Sequence, residues 1–468
     1  MKTTTSIKAA AIATVILNSL FCSFSCLHAA VIQQVIVRQQ WPWSTDVKVE
    51  YKLAEVTAPV DISVKAFNGE TELPLPAEAV SGDLYGISES GIGQFIIDPV
   101  KAFGNAKVAI ADFRVELELS DSAANINEVL YRIVDLNTGS IVDAKRADFY
   151  SNKYGSYEES YTAAGGVNTK LSEVFIWTGV TNDPAYVTSK LVLRRIPAKS
   201  FGSWLMGDSG VHTYNASVWA GMTQHLVQLT EDYFISVFPV TQAQYEKLTG
   251  SRGFGSYTNQ VDYPLNDAYP VLAEWWDIRG SENWPANHNV GAEKFLGLLR
   301  AKTGGSVLFD MPTEAQWELA CRAGWDENEA YTGAASLGFS VLRDMGWCNV
   351  TGGSGGNDGS MHPVGKRLPT AFGIYDMLGN CREWCLDLQY VVSTDYQWTS
   401  KVEPEINPVG ATKEEGRSTS GYYYHVVRSS SSIQNYSENN ICVRVQRQSH
   451  TFSGSRNDFG FRVVCAAE

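Results

Sequence analysis

Short apolar stretches that alternate with polar residues fill the chain after residue 30. Five of them predict strands: VIQQVIVRQQW from Val31, VKVEYKL from Val47, PVDISVKAF from Pro59, GQFIIDP from Gly93 and FRVELELS from Phe113. Turn-forming pairs separate the strands, for example Asn68-Gly69 and Ser81-Gly82. Regular short strands with such turns are typical of an antiparallel β-sandwich. The pattern predicts this domain over residues 31–120, with the role of a spacer or adhesive module.

The pattern weakens over residues 121–188, which we interpret as a connecting segment. It contains one more strand-like run, VLYRIVDL at 129–136, and then the polar stretch 150–170. That stretch has no apolar period, which is typical of a surface excursion or hinge.

Helical signals begin after residue 189. Thr241 precedes a helix and Gln244 follows three residues later, which is the spacing of a capping box. Thr313 and Gln316 repeat that spacing at the start of another helix, and an apolar run predicts a helix over about 291–302. The last 140 or so residues have little period of either kind. Aromatic packing, disulfide bridges, buried turns or bound ions must hold them, and the chain has 13 Trp and 22 Tyr to supply such packing.

The first 30 residues have the features of a signal peptide. Lys2 and Lys8 precede an apolar run, and Ala29-Ala30 supplies small residues for cleavage. The alternative, an N-terminal membrane anchor, is disfavoured because Ser, Asn and His interrupt the run. We expect the protein to be exported to the extracellular space, the periplasm or the cell surface, with no stable membrane insertion, since no later segment is apolar enough to span a bilayer.

Charge and cysteine content narrow the possible partners. The net charge is −14, and removing two lysines with the signal peptide makes it −16, so nucleic acid is not an expected partner. Six cysteines remain after residue 30, all in the last third. An exported chain permits disulfides, and the pairing stays open because six cysteines allow fifteen arrangements. No zinc-site spacing of Cys or His occurs.

An ordered series of motifs resembles the sulfatase-modifying-factor family, whose founding members are formylglycine-generating enzymes. The series runs IPAKSFGSWLMGD, YFISVFPVTQAQYEKLTG, YPVLAEWWD, MPTEAQWELACRAG, HPVGKRLPTAFGIYDMLGNCREW and DFGFRVV. The resemblance covers about 189–468. It implies a loop-rich α+β domain with the formylglycine-generating-enzyme fold, which is related to C-type lectins, preceded here by the N-terminal antiparallel β-sandwich.

Enzymes of that family oxidise a sulfatase cysteine to formylglycine, with copper(I) held by two cysteines five residues apart. Soft thiolates are the ligands that copper(I) prefers. Counting from Arg428 forward, or from Gly460 backward, places these two positions at Gln434 and Asn439. Neither residue is a cysteine, so no copper is expected.

Other departures from the family point the same way. Asp310-Met311 stands where the family usually has Arg-Leu, Ser429-Ser430 replaces a glycine pair, and Cys381-Arg382 replaces a small residue and Trp. Cys442 lies three residues beyond Asn439, and a lone thiolate cannot supply two-sulfur coordination. The resemblance implies that Cys442 instead forms a disulfide with Cys321.

The stretch FGIYDMLGNCREW, residues 372–384, matches a family segment that winds around a structural calcium ion. The resemblance implies that Asp376 and Glu383 supply carboxylates and that Gly379 and Cys381 supply backbone carbonyls, all hard oxygen ligands that suit Ca²⁺. Gly379-Asn380 permits the sharp curl, because both residue types tolerate positive φ. The alternative is a packed corner in which Asp376 and Glu383 cap backbone N–H groups.

Two functions remain open from the sequence. The first is a secreted member of the family without oxidase activity, which acts as a binding or structural module for a protein, peptide or glycan ligand. The alternative is an active formylglycine-generating oxidase. The two missing thiols favour the first.

Overall fold

The computed structural model describes most of the chain in separate ranges. These are residues 30–39, 44–57, 59–76, 79–104, 110–122, 126–159, 174–207, 225–253, 265–281, 283–323, 344–347, 360–388, 403–414, 424–429, 447–451 and 458–467. The chain divides into two compact units, one of residues 1–129 with 144–156 and one of residues 130–143 with 157–468.

The first unit contains two antiparallel sheets. Its elements are β1 (Val31–Gln39), β2 (Val47–Ala54), β3 (Val60–Asn68), β4 (Thr71–Leu73), β5 (Val80–Gly82), β6 (Gly91–Ile97), α1 (Pro99–Phe103), β7 (Phe113–Asp121) and α2 (Arg146–Tyr150). The strand orders are β1-β2-β6-β5 and β4-β3-β7. The five strands expected from the alternating pattern are all present, and the prediction of N-terminal antiparallel sheets is confirmed.

Alternation explains the core of this unit. On β2, Val49, Tyr51 and Leu53 are buried while their neighbours are more exposed, so one face of the strand packs into an apolar cluster. The predicted turn at Ser81-Gly82 is wrong, because both residues lie on β5 and pair with β6. A Cβ on Gly82 would lie 2.5 Å from the Gln94 carbonyl oxygen, so the glycine allows close strand contact at φ +139°.

The second unit mixes short strands and helices. Its strands are β8 (Val129–Asp135), β9 (Ile141–Lys145), β10 (Lys190–Ile196), β11 (Ser203–Met206), β12 (His225–Gln228), β13 (Tyr233–Ser236), β14 (Gly346–Trp347), β15 (Leu378–Gly379), β16 (Arg382–Leu388), β17 (Glu405–Ile406), β18 (Tyr424–Arg428), β19 (Arg447–Thr451), β20 (Phe459–Phe461) and β21 (Val464–Ala466). Its helices are α3 (Ala185–Thr188), α4 (Ala198–Phe201), α5 (Gln242–Thr249), α6 (Trp275–Arg279), α7 (Phe295–Lys302) and α8 (Glu314–Arg322), with a 3₁₀ turn at Thr178–Thr181. The α+β fold is confirmed.

The two largest of the described sheets organise this unit. The first has the order β21-β13-β10-β8-β9, so the strand-like run expected at 129–136 completes a sheet with strands far along the chain. The second has the order β19-β18-β16-β20, with β16 parallel to β20 and antiparallel to β18. One apolar cluster joins residues of α8, β13, β18 and the loop before β16, for example Trp317, Ile235, Val426 and Met377.

Capping boxes fix the starts of two helices. The Thr241 hydroxyl accepts from the Gln244 amide before α5, and the Thr313 hydroxyl accepts from the Gln316 amide before α8. In each case the glutamine side chain bonds back to the threonine amide, as the sequence predicted. The helix expected at 291–302 begins at Phe295 and ends at Lys302.

Candidate functional site

The segment 372–384 forms a tightly curled, buried loop. Its backbone takes positive φ at Gly373, Asp376, Gly379 and Asn380, with values of 76°, 56°, 87° and 62°. A Cβ on Gly379 would lie 2.1 Å from the Trp347 carbonyl oxygen, so only glycine fits there. The expected curl at Gly379-Asn380 is confirmed, and it turns the chain between β15 and β16.

Asp376 carries a buried carboxylate with little direct compensation. Its Oδ2 accepts from the Gly365 amide at 2.7 Å, and its Oδ1 is 3.5 Å from the Asn380 amide nitrogen. Burial, with a smaller effect of the nearby Glu383 charge, raises the pKa of Asp376 to about 6 against the opposing Gly365 hydrogen bond and Arg462. A buried carboxylate whose ionised form is disfavoured in this way would be stabilised by a bound cation.

Glu383, in contrast, is already neutralised. The Arg462 Nε donates to Oε1 at 3.0 Å and to Oε2 at 2.9 Å, and the Trp317 indole donates to Oε2 at 2.6 Å. Both charged side chains are fully buried. The Arg462 guanidinium also donates to the backbone oxygens of Ser236, Val237 and Tyr375. This ion pair therefore links the curled loop to β13 and to α8.

Gly379 and Cys381 flank the curl with backbone groups. The Gly379 amide donates to the Ser429 hydroxyl at 2.9 Å. The Cys381 thiol is buried, and a Cβ on Gly460 would lie 2.7 Å from its sulfur. Burial, reinforced by Glu383, raises the pKa of Cys381 well above its usual value, so the thiol stays protonated.

Hard oxygens make up the donor set expected from the sequence. Asp376 provides a carboxylate whose ionised form is disfavoured by burial. Glu383 can still accept further bonds, because an ionised carboxylate has about four lone-pair sites. Among the described residues, no group of three or more His, Cys, Asp or Glu side chains is arranged to hold a metal ion, so backbone carbonyls such as those of Gly379 and Cys381 would have to complete the shell.

The positions expected for copper ligands lie outside the described ranges. Gln434, Asn439 and Cys442 all belong to that part of the chain, and so does one end of the expected Cys321–Cys442 bridge. Among the described thiols, burial raises the pKa of Cys385 well above its usual value and that of Cys465 to about 11. Neither sulfur is a ready thiolate, which is the form that binds a soft metal.

A buried ion network beside the curl was missed by sequence reasoning. Arg428 on β18 donates to Glu314 at 3.0 Å and to Glu318 at 2.5 Å. Arg322 donates to the other Glu318 oxygen at 2.7 Å. The spacing of Glu314 and Glu318 puts both on one face of α8, and that was the available signal. The network ties β18 to α8.

The two charge-changing departures noted in the sequence both have partners. Asp310 is buried, and its carboxylate accepts from Arg279 Nε at 3.0 Å and contacts His288 Nδ1 at 2.9 Å. Burial would raise the pKa of Asp310, but the contact with His288 and the charge of Arg279 outweigh it and lower the value. Arg382 is also buried, and its Nε lies 3.6 Å from the Asp458 carboxylate. Each change is thus compensated inside the fold.

Comparison with known proteins identifies the second unit. The family model described as the sulfatase-modifying factor enzyme 1-like domain matches residues 200–467. The formylglycine-generating enzyme of Mus musculus is 24% identical over 276 residues, which are 51% of this chain and 66% of that enzyme. The formylglycine-generating enzyme of Thermomonospora curvata is 28% identical over 175 residues, or 34% of this chain and 55% of that enzyme. The chain therefore spans less than two thirds of the length of these relatives.

Among solved structures, PvdO from Pseudomonas aeruginosa is similar to this chain. The sequence identity is 20%, the TM-score is 0.43, and the match covers 59% of this chain and 94% of PvdO. In the described part of the chain, no helix is long and apolar enough to cross a membrane.

Proposed function

The chain belongs to the family of sulfatase-modifying factor enzyme 1-like domains, and from that premise we propose that it is an exported member without oxidase activity. In this proposal the family scaffold serves as a binding or structural module for a protein, peptide or glycan. The main support for this proposal is the pair of amide side chains, Gln434 and Asn439, at the positions where the family's thiols bind copper(I). Amide groups are hard, weak donors and do not fit that ion.

The described thiols support the same conclusion. Cys381 and Cys385 are buried and stay protonated because burial raises the pKa of each. Cys465 lies beside Arg132, which nevertheless leaves its pKa at about 11. None of these three is a substitute ligand, and no catalytic step is assigned to this chain. The lectin-related fold suits recognition, because loops can vary while the aromatic core holds them.

We also propose that Asp376, Gly379, Cys381 and Glu383 hold a structural Ca²⁺. The buried charge of Asp376 supports this, since its pKa is raised to about 6 despite the nearby charge of Arg462. When bound, the ion would supply that compensating charge and hold the curled loop. Its role here is structural, and no reaction passes through it.

A direct assay tests the absence of oxidase activity. The protein, beginning at residue 31, is incubated with copper(I), oxygen and a cysteine peptide that carries the sulfatase motif, and the peptide mass is measured. We expect unmodified peptide. The double variant Gln434→Cys with Asn439→Cys is the matched control, and we expect it, unlike the parent, to compete with a chelator for copper(I). Formylglycine made by the parent protein would overturn the proposal, and a glycan and peptide array probed with the same protein tests binding.

A further inference from the structure

His425 lies in the interior of the second unit, on β18, with only 2% of its surface exposed. Its ring is stacked on the indole of Trp275, with 3.9 Å between ring centroids and 20° between ring planes. Neither imidazole nitrogen reaches hydrogen-bond geometry with a described group, and the same holds for Trp275 Nε1. The backbone of Leu386 is near enough to favour the charged ring, but it does not meet that geometry. The stack is therefore an apolar environment for a titratable side chain.

The charges around this ring disfavour its protonation. On α6, Arg279 is the cation that acts on the imidazole, and it repels a second positive charge. The Arg279 charge is itself taken up by Asp310. On β16, the Asp387 carboxylate accepts from the Glu314 amide at 2.6 Å.

β18, which carries His425, and its neighbour β19 add no acidic residue among those described. Arg428, on the same strand, is bound to the two glutamates of α8. On β19, His450 stands opposite His425 in the strand register. Among the described groups, the ring thus has no carboxylate partner that would receive an imidazolium.

We propose that His425 is an acid-sensitive switch for the pairing of β16 and β18. The neutral ring packs on Trp275 and keeps β18 in place. A protonated ring cannot stay in that stack, because it would be a buried charge without an anion, facing Arg279. Since β18 also carries Arg428, release of the strand would pull the Arg428 guanidinium away from α8 and loosen the whole side of the domain next to the curled loop.

The direction of the pH effect follows from the ring's burial. Burial, with a smaller contribution from Arg279, lowers the pKa of His425 to about 3. In the unfolded chain the ring takes up a proton near pH 6.5, whereas the folded ring stays neutral. Stability is therefore lost progressively as pH falls from about 6.5 toward about 3.

The variant His425→Phe tests the proposal, because it keeps a flat aromatic ring on Trp275 and removes the titration. Urea unfolding of the whole protein is followed at pH 7 and pH 4.5 for both forms. We expect the unfolding equilibrium constant of the parent to rise roughly 70-fold more than that of the variant between these pH values. The control His225→Phe makes the same change at a partly exposed ring on β12, and it should keep the parental pH response. An equal response of His425→Phe and the parent would overturn the proposal.

Two measurements cover the case in which the variant does not fold and test the local opening. In the parent, the NMR signals of the His425 ring should not titrate between pH 8 and pH 5, and a transition near pH 6.5 would overturn the proposal. Amide hydrogen exchange at pH 5 should accelerate over Tyr424–Arg428 before it does in β10 and β13. Uniform acceleration across the unit would show a loss of global stability and would refute the switch.

Discussion

Replacing Asp376 by Asn isolates the charge of the proposed metal site. Asparagine has nearly the shape of aspartate, and its side-chain oxygen can still accept from the Gly365 amide, which lies 2.7 Å from the present carboxylate. The change removes one buried negative charge and places an NH2 group where the present oxygen lies 3.5 Å from the Asn380 side-chain nitrogen. In a protein that contains no calcium, burial outweighs the favourable charge of Arg462, so we expect removal of this charge to stabilise the fold.

The size of the effect follows from the pKa of the carboxyl group. Burial raises the pKa of Asp376 from 3.8 to about 6, which corresponds to about 3 kcal/mol as an upper value. Because the folded pKa is above the unfolded one, ionisation costs stability as pH rises from about 3.8 through about 6. In the presence of a chelator, Asp376→Asn should exceed the parent by up to about 3 kcal/mol at pH 8 and should equal it near pH 3.5.

Urea denaturation, first with chelator and then with calcium, measures the cost of the buried charge and the stabilisation by calcium. Calcium should raise the free energy of unfolding of the parent, since it binds the folded form, and it should have a much weaker effect on Asp376→Asn. Glu383→Gln tests the second carboxylate of the proposed site. It leaves Arg462 buried without its anion, so it should lose about 3 to 5 kcal/mol in chelator, and calcium should restore less stability to it than to the parent.

Two outcomes would refute this reasoning. If Asp376→Asn is less stable than the parent in chelator at pH 8, the carboxylate already has a counter-charge. If calcium stabilises the parent and Asp376→Asn equally, or neither, then Asp376 does not hold the ion.

Three further changes test the packing around the site. Arg428→Met removes the cation shared by Glu314 and Glu318, of which Glu318 keeps Arg322, and should cost about 3 to 5 kcal/mol in urea unfolding; a loss below about 1 kcal/mol would contradict a buried network. Thr313→Ala removes the hydroxyl cap of α8 and should cost about 1 kcal/mol in thermal unfolding, and an unchanged melting temperature would argue against the capping box. Gly460→Ala places a methyl group 2.7 Å from the Cys381 sulfur and should cost about 1 to 3 kcal/mol. Cys381→Ala in the same chain should recover part of that loss, and no recovery would mean that the clash lies elsewhere.

Local patterns predicted those elements whose cause is local. The alternation in VKVEYKL is enough to define β2, because a strand with one buried face needs only that period. The capping box at Thr313 likewise depends on a hydroxyl and an amide three residues apart. The curl at Gly379-Asn380 was predictable for the same reason, since both residue types accept positive φ.

Partners distant in sequence could not be predicted in this way. Glu383 and Arg462 are 79 residues apart, and Asp310 and Arg279 are 31 apart. Each pair forms because the fold brings distant strands and helices together. The periodicity of the sequence carries no information about such contacts. From the sequence, the change at Asp310 looked like the loss of a positive charge. In the fold, Arg279 and His288 contact the negative charge that takes its place. Ion pairs across a core can therefore be predicted only once the topology is known.

The position of Arg462 has a consequence for how the protein is made. Its guanidinium bonds to the Ser236 carbonyl across 226 residues of chain, and β21 then pairs with β13 at one edge of the described sheet. This pairing cannot form until residues near 465 have left the ribosome, so the sheet is completed long after β13 has been synthesised. Until then β13 is an unpaired edge, and a chaperone that shields it would protect the nascent protein from aggregation.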